Sequence, residues 1–238
     1  MEFSQPDEEY PLTQFKGKAI VVTKESCIEP ELLIHSKYYL KYISQVVVTG
    51  GSIVNRVDHL AKQIFLDYKG RKVYLLVVLK GAITFGNILQ EKLHRIVDNN
   101  FEDTQTSFMF EYVTISSYFN DSSTGKINIK SDKSIFESLE GKDVIVIEDT
   151  YDSGSSMSQL MTFLEQFNLN SLKVAVLFWK QNIKNLKYSE NFLANYIGFV
   201  IPDFFVIGAG LDYNEMFRDL KHLCTISEEG KEEFKIKK

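Results

Sequence analysis

Short apolar runs and helical stripes alternate through the middle of the chain. Residues 73–79 (VYLLVVL) are continuously apolar and β-rich, as in a strand buried on both faces. Lys80-Gly81 ends the run. Over 82–97, Ile83, Ile88, Leu89, Leu93, Ile96 and Val97 fall close to helical spacing. Residues 144–147 (VIVI) form a second buried-type strand, followed by a polar turn. A helix over about 156–167 follows, with Leu160, Met161, Phe163, Leu164 and Phe167 as its apolar positions. Residues 173–178 and 196–200 read as third and fourth strands. This alternation predicts an α/β fold, a parallel sheet flanked by helices. Ligands of such sheets bind beyond the carboxyl ends of the strands, so the residues just after each strand are the ones to inspect.

One segment departs from the pattern. Residues 108–115 (FMFEYVTI) alternate like a half-exposed strand, the polar stretch SSYFNDSSTGK follows, and Ile127-Asn128-Ile129 can return as a partner. That reads as a hairpin with a flexible lid over about 116–126, because long polar loops in compact domains commonly act as lids. Prolines stand only at 6, 11, 30 and 202, and no repeat or linker is visible, so 1–238 reads as a single domain. The charged end, 228–238, reads as a frayed or helical tail.

Composition narrows the classes. The 238 residues are 44% hydrophobic and 25% charged, with a formal net charge of −5. That balance argues against non-specific coating of nucleic acid and, taken alone, disfavours a phosphate-rich substrate. No apolar run is long enough for a membrane span, and the acidic start MEFSQPDEEYPL lacks the form of a signal peptide. Cys27 and Cys224 have no metal-ligand spacing and read as free thiols of a reducing, cytoplasmic compartment. The four histidines (His35, His59, His94 and His222) are scattered, which leaves a zinc site or a Ser-His-Asp hydrolase without support. The sequon at Asn120 reads as unused in such a compartment.

The chemistry concentrates after the second strand, in Glu148-Asp149-Thr150-Tyr151-Asp152-Ser153-Gly154-Ser155-Ser156. A small, hydroxyl-rich turn entering a helix suits a phosphate, through backbone N–H groups and the positive end of the helix dipole. Adjacent carboxylates suit ribose hydroxyls or a Mg²⁺ that bridges to phosphate. The plainer alternative is a helix cap, with Asp152 or Ser153 as the capping residue. Neither GxxxxGK[ST] nor a strand–GxGxxG–helix unit is present.

VIVIEDTYDSGSSM resembles the phosphoribosyl-pyrophosphate (PRPP) signature of the type I phosphoribosyltransferases, most closely their hypoxanthine-guanine branch. The resemblance extends over about 50–234: Leu79-Lys80-Gly81, the 117–125 stretch, 174–180, Gly198 to Asp203, Phe205-Val206, Gly208, and Leu211-Asp212-Tyr213-Asn214-Glu215 with Phe217-Arg218-Asp219-Leu220. It implies a type I phosphoribosyltransferase-like fold with a lid hairpin and a small hood made of the N-terminal and C-terminal segments. It implies that Lys80, Gly81 and Arg218 meet pyrophosphate and that Ser153, Gly154, Ser155 and Ser156, with Asp152, cradle the 5′-phosphate. Glu148 and Asp149 would hold ribose hydroxyls and Mg²⁺, and Asp212 would hold a second Mg²⁺ beside the base. Lys180, Phe205 and Val206 would bind the base, with Lys180 reading the oxygen at purine C6 and Phe205 stacking. Asp152 would be the general base, and Ser117 and Tyr118 would close over the reaction. The peptide before Lys80 can be cis in this family.

The function so implied is purine salvage, moving 5-phosphoribosyl from PRPP to hypoxanthine or guanine to give IMP or GMP and pyrophosphate. The partners implied are these small molecules, with no nucleic acid or membrane, in a homo-oligomer (dimer or tetramer). Three positions depart from the common family pattern: Ser155 where a lysine is usual, Ala82 where a glycine is usual, and Gln181 where an arginine is frequent. A divergent paralogue with changed base preference or weak activity is one alternative. A PRPP- or nucleotide-sensing regulatory protein on the same fold is another, although it predicts a basic face. Alone, Phe205 reads as core, Lys180 as a solvated strand-end lysine, and Arg218 as a partner of Asp219 or Glu215.

Overall fold

The computed structural model describes residues 10–117, 127–189 and 192–236. In chain order its strands are β1 (Ile20–Val21), β2 (Ile43–Val48), β3 (Lys72–Leu79), β4 (Ser107–Ser117), β5 (Ile127–Ile129), β6 (Asp143–Tyr151), β7 (Ser171–Lys180), β8 (Tyr196–Ile201), β9 (Val206–Ile207) and β10 (Leu223–Ile226). Its α-helices are α1 (Lys37–Leu40), α2 (Gly50–Asp67), α3 (Ile83–Asp98), α4 (Lys133–Glu137), α5 (Ser155–Leu164), α6 (Ile183–Ser189) and α7 (Glu228–Glu233).

The main sheet has the order β1-β8-β7-β6-β3-β4-β5 and is parallel apart from the β4–β5 pair. Its central strands are apolar throughout because both faces are covered. Leu75, Val77, Ile145, Ile147, Ala175 and Leu177 pack with α2 and α3, through Val57, Leu60, Ile64, Phe85 and Leu89. The alternate residues Leu76, Val78, Val144, Val146, Val174 and Val176 pack on the other face with Phe136, Met157, Leu160 and Leu164. The period of two along each strand thus divides one apolar run between two cores.

The predicted parallel sheet flanked by helices is therefore what the chain forms. The 108–115 segment is an integral strand of it, since β4 pairs with β3 along its length before Ile115, Ser116 and Ser117 meet Ile129, Asn128 and Ile127 of β5. The polar turn placed after Ile147 needs correction. β6 leaves β3 at Ile147 but stays paired with β7 as far as Tyr151, opposite Trp179. The acidic pair is consequently strand, held by β7 alone, where the parting of β3 and β6 opens a cleft. A second, antiparallel sheet, β2-β10-β9, joins an N-terminal strand to two C-terminal ones over a core of Ile43, Val46, Ile207, Phe217, Leu220, Cys224 and Ile226. Cys224 is buried, Cys27 is half-buried, and both are free thiols.

Candidate active site

A cavity of about 250 Å³ lies at the carboxyl end of the main sheet, where β3 and β6 part. Its wall includes Gly81, Glu148, Asp149, Asp152, Ser153, Gly154 and Ser156. Glu148 and Asp149 stand side by side, and the Glu148 carboxylate accepts from the Asp149 amide at 3.2 Å. Burial pushes the Glu148 carboxyl well above the usual carboxylate range, and the neighbouring Asp149 charge adds to this. Burial likewise raises Asp149 to about 6, against the opposing pull of the neighbouring Thr150 and the charge of Arg218. A crowded acid pair of this kind favours a divalent cation in its place. Among the described residues no group of three or more His, Cys, Asp or Glu side chains could enclose a metal. The donor set therefore fits a cation that brings most of its oxygen ligands with it, as Mg²⁺ does on a phosphorylated substrate.

The loop after β3 covers this pair. The Leu79–Lys80 peptide is cis. A β-carbon on Gly81 would collide with Asp149 Oδ2, and one on Gly210 would collide with the Gly81 carbonyl oxygen, so this packing requires glycine at both positions. Lys80 extends into solvent and pairs with Glu215 at 3.0 Å. Arg218 donates to the Gly210 carbonyl at 2.9 Å and pairs with Asp212 at 2.7 Å. Glu215 lies further from Arg218, at 3.6 Å, and Asp219 instead accepts from Tyr39. The Arg218 Nε is buried and has no partner. Ala209, Asn214, Glu215 and Phe217 in this stretch have positive φ (52°, 50°, 68° and 77°), a concentration typical of functional loops.

The phosphate-type turn is not closed by a side chain. Gly154 is the N-cap of α5, left-handed at φ 81°, and no side chain caps the helix. Asp152 is engaged elsewhere: its Oδ2 accepts from Lys180 Nζ at 2.9 Å and its Oδ1 from Asn182 at 2.6 Å. The helix-cap alternative for Asp152 therefore does not hold. Lys180 is 8% exposed, so it is not a solvated strand-end lysine. Phe205 is 53% exposed, edge-on to Tyr213 at 5.7 Å, so it is not core either. Val206 is buried in β9.

The fold thus brings Gly81, Glu148, Asp149, Asp152 and the 153–156 turn to one cavity. Lys180 joins them through Asp152, while Lys80, Asp212 and Arg218 form an adjoining ion-pair cluster. Ser117 ends β4, whereas Tyr118 and the rest of the expected lid to 126 lie outside the described residues. Asn182, Gly210 and Glu215 were not singled out as site residues. Asn182, two residues past Lys180, could have been found by inspecting the end of β7 as closely as the end of β6.

The family model described as "Phosphoribosyl transferase domain" matches residues 47–214. The chain belongs to the phosphoribosyltransferase family. Hypoxanthine-guanine-xanthine phosphoribosyltransferase of Plasmodium falciparum is 38% identical over 201 residues, covering 83% of this chain and 84% of that one. Human phosphoribosyltransferase domain-containing protein 1 is 36% identical over 221 residues, covering 92% and 95%. The crystal structure of hypoxanthine-guanine phosphoribosyltransferase from Schistosoma mansoni in complex with IMP superposes with a TM-score of 0.74 at 26% identity, covering 92% of this chain and all (100%) of that one. In this phosphoribosyltransferase the family match spans the whole cavity wall, from Val78 to Leu160, and also includes Asp212 of the adjoining cluster. Arg218 and the β10 strand lie beyond it.

Proposed function

We propose that the chain transfers the 5-phosphoribosyl group of PRPP to a 6-oxopurine, hypoxanthine or guanine, releasing pyrophosphate. The observation that carries this reading is the Lys180–Asp152 pair. A donor and an acceptor sit 2.9 Å apart, the acceptor on the wall of the acidic cleft. The edge of a 6-oxopurine offers the matching order, an acceptor at C6 and an N–H at N7. Adenine carries a donor at C6 and would face the Lys180 ammonium with another donor, so it is disfavoured.

In this reading N9 attacks C1′ as pyrophosphate leaves. The 153–156 amides bind the 5′-phosphate, with Ser155 and Ser156 at the positive end of α5. Glu148 and Asp149 hold the ribose hydroxyls and Mg²⁺, with Asp212 at a second ion. When bound, Mg²⁺ neutralises charge on the departing pyrophosphate. Lys80, Gly81 and Arg218 receive the pyrophosphate. Asp152 takes the proton at N7. Phe205 stacks on the base, the Val206 backbone reads its edge, and Ser117 and Tyr118 close the 116–126 lid to exclude water. Residues 1–238 act as one domain, with the β2-β10-β9 sheet as hood, in a cytoplasmic homo-oligomer. Among the described residues no helix is long and apolar enough to cross a membrane.

The test supplies PRPP and Mg²⁺ with guanine, hypoxanthine, xanthine, adenine or uracil and follows nucleotide formation by absorbance. Turnover is expected with guanine and hypoxanthine, little with adenine, and none without Mg²⁺. Absence of product with every base would favour the sensing alternative, which the Ser155, Ala82 and Gln181 departures keep in view.

A further inference from the structure

The N-terminal segment reaches the residues proposed to read the base. The Tyr10 hydroxyl donates to Asn185 Oδ1 at 2.7 Å and accepts from Trp179 Nε1 at 2.7 Å. Asn185 is completely buried and turns its amide donor onto the Lys180 carbonyl at 2.8 Å. Tyr10 therefore holds two consecutive residues at the end of β7, Trp179 directly and Lys180 through Asn185. Trp179 is also stacked on Tyr151 at 3.9 Å, and Phe15 lies on it at 5.5 Å. Tyr151 precedes Asp152 in the chain, so this cluster touches both members of the Lys180–Asp152 pair through their backbone neighbours.

Position along the sheet explains why such a tie matters. β6 ends opposite Trp179, so Lys180 has no ladder partner on β6, and a side chain meets its carbonyl instead. The Tyr10, Asn185 and Trp179 groups hydrogen-bond one another and the Lys180 carbonyl inside the fold, which restricts their geometry, and the backbone so fixed sets where the Lys180 ammonium lies. We propose that Tyr10, through Asn185 and Trp179, is a positioning residue for the Lys180–Asp152 pair, so that an N-terminal strap governs how the purine edge is read. The inference rests on the base-reading role given above to Lys180 and Asp152.

The test uses the full-length chain and Tyr10→Phe, which removes one hydroxyl and keeps the ring. KM for guanine is expected to rise roughly tenfold, within the ~100-fold that a 1 Å misplacement can cost. KM for PRPP is expected to stay unchanged, and Asn185→Ala is expected to give the same split. A merely structural role would lower the melting temperature of both variants while leaving both KM values alone, and that result overturns the proposal. A second readout needs no turnover. Trp179 is the only tryptophan in the chain, so its emission reports on the strap. GMP binding to the wild-type chain is expected to shift that emission, PRPP alone is not, and Tyr10→Phe is expected to weaken GMP binding. If the wild-type chain makes no nucleotide yet shows this fluorescence pattern, the catalytic reading falls and the strap stands. GMP binding without an emission shift, or no GMP binding at all, overturns the strap.

Discussion

At the scale of single residues, the buried acid pair costs stability. Burial raises the Glu148 carboxyl well above its usual range and Asp149 to about 6, so ionising them costs more in the folded chain than in the unfolded one. The sign follows from which state binds more protons. Here the folded state does, so stability falls as pH rises from the unfolded values near about 4 through the folded ones. Glu148→Gln in the ligand-free protein is thus expected to raise the melting temperature by a few degrees at neutral pH. The gain should vanish in acid, where the wild-type carboxyl is neutral in both states, and phosphoribosyl transfer should drop sharply. Scanning calorimetry across pH checks the first part, and equal melting temperatures at neutral pH would contradict it. Asp152→Asn tests the proposed proton acceptor: kcat should fall by about 10²-fold or more, with a much smaller change in KM for PRPP. Asp152 and the acid pair were legible in the sequence because strand, acids and turn are contiguous there. The Gly210 contact with Gly81 was not, because it joins two loops that only the fold brings together.

At the scale of elements, legibility followed burial. Strands covered on both faces are uniformly apolar, and β3, β7 and β8 could be read within a few residues of their ends. β6 could not, because its last residues are polar and remain strand only through pairing with β7. β2 and β10 escaped notice because they are short and pair across nearly the whole chain, in a register interrupted by irregularities. Local pattern is also silent on how elements are tied together. Arg56 on α2 donates to the Ile197 carbonyl at 2.7 Å, to the Gly198 carbonyl at 3.0 Å, and to the Lys18 carbonyl. One side chain therefore joins a helix, a strand of the sheet and the loop before β1. Arg56→Ala should destabilise the protein by about 2–3 kcal/mol, the usual range for losing charged hydrogen bonds that leave carbonyls unpaired. Urea unfolding measures this, and a change below about 0.5 kcal/mol, the level of an ordinary surface substitution, would mean water replaces the guanidinium freely.

At the scale of the whole molecule, the net charge of −5 concerns the surface at large, and local chemistry decides what binds. In the proposed site the acids would meet metal, ribose and a proton, while amides, hydroxyls, Lys80 and Arg218 would meet phosphate, so the acidic balance does not by itself exclude a phosphate-rich substrate. The same separation of global from local applies to the chain ends. β10 is the middle strand of the β2-β10-β9 sheet, so removing it leaves neither neighbour with a partner strand in that sheet. Phe234, just beyond α7, packs edge-on against Tyr42 at 4.9 Å and Phe217 at 5.1 Å. A chain ending at His222 should therefore lose the second sheet and, with it, the support for Phe205 and Val206. Residual PRPP binding by the acidic cleft should survive, because its walls come from β3, β6 and α5. A chain ending at Phe234 should keep full transfer activity. Calorimetric titration with PRPP and Mg²⁺, set beside the base-dependent assay, separates these outcomes. Loss of PRPP binding together with base turnover in the shorter chain would show that the two sheets fold as one cooperative unit.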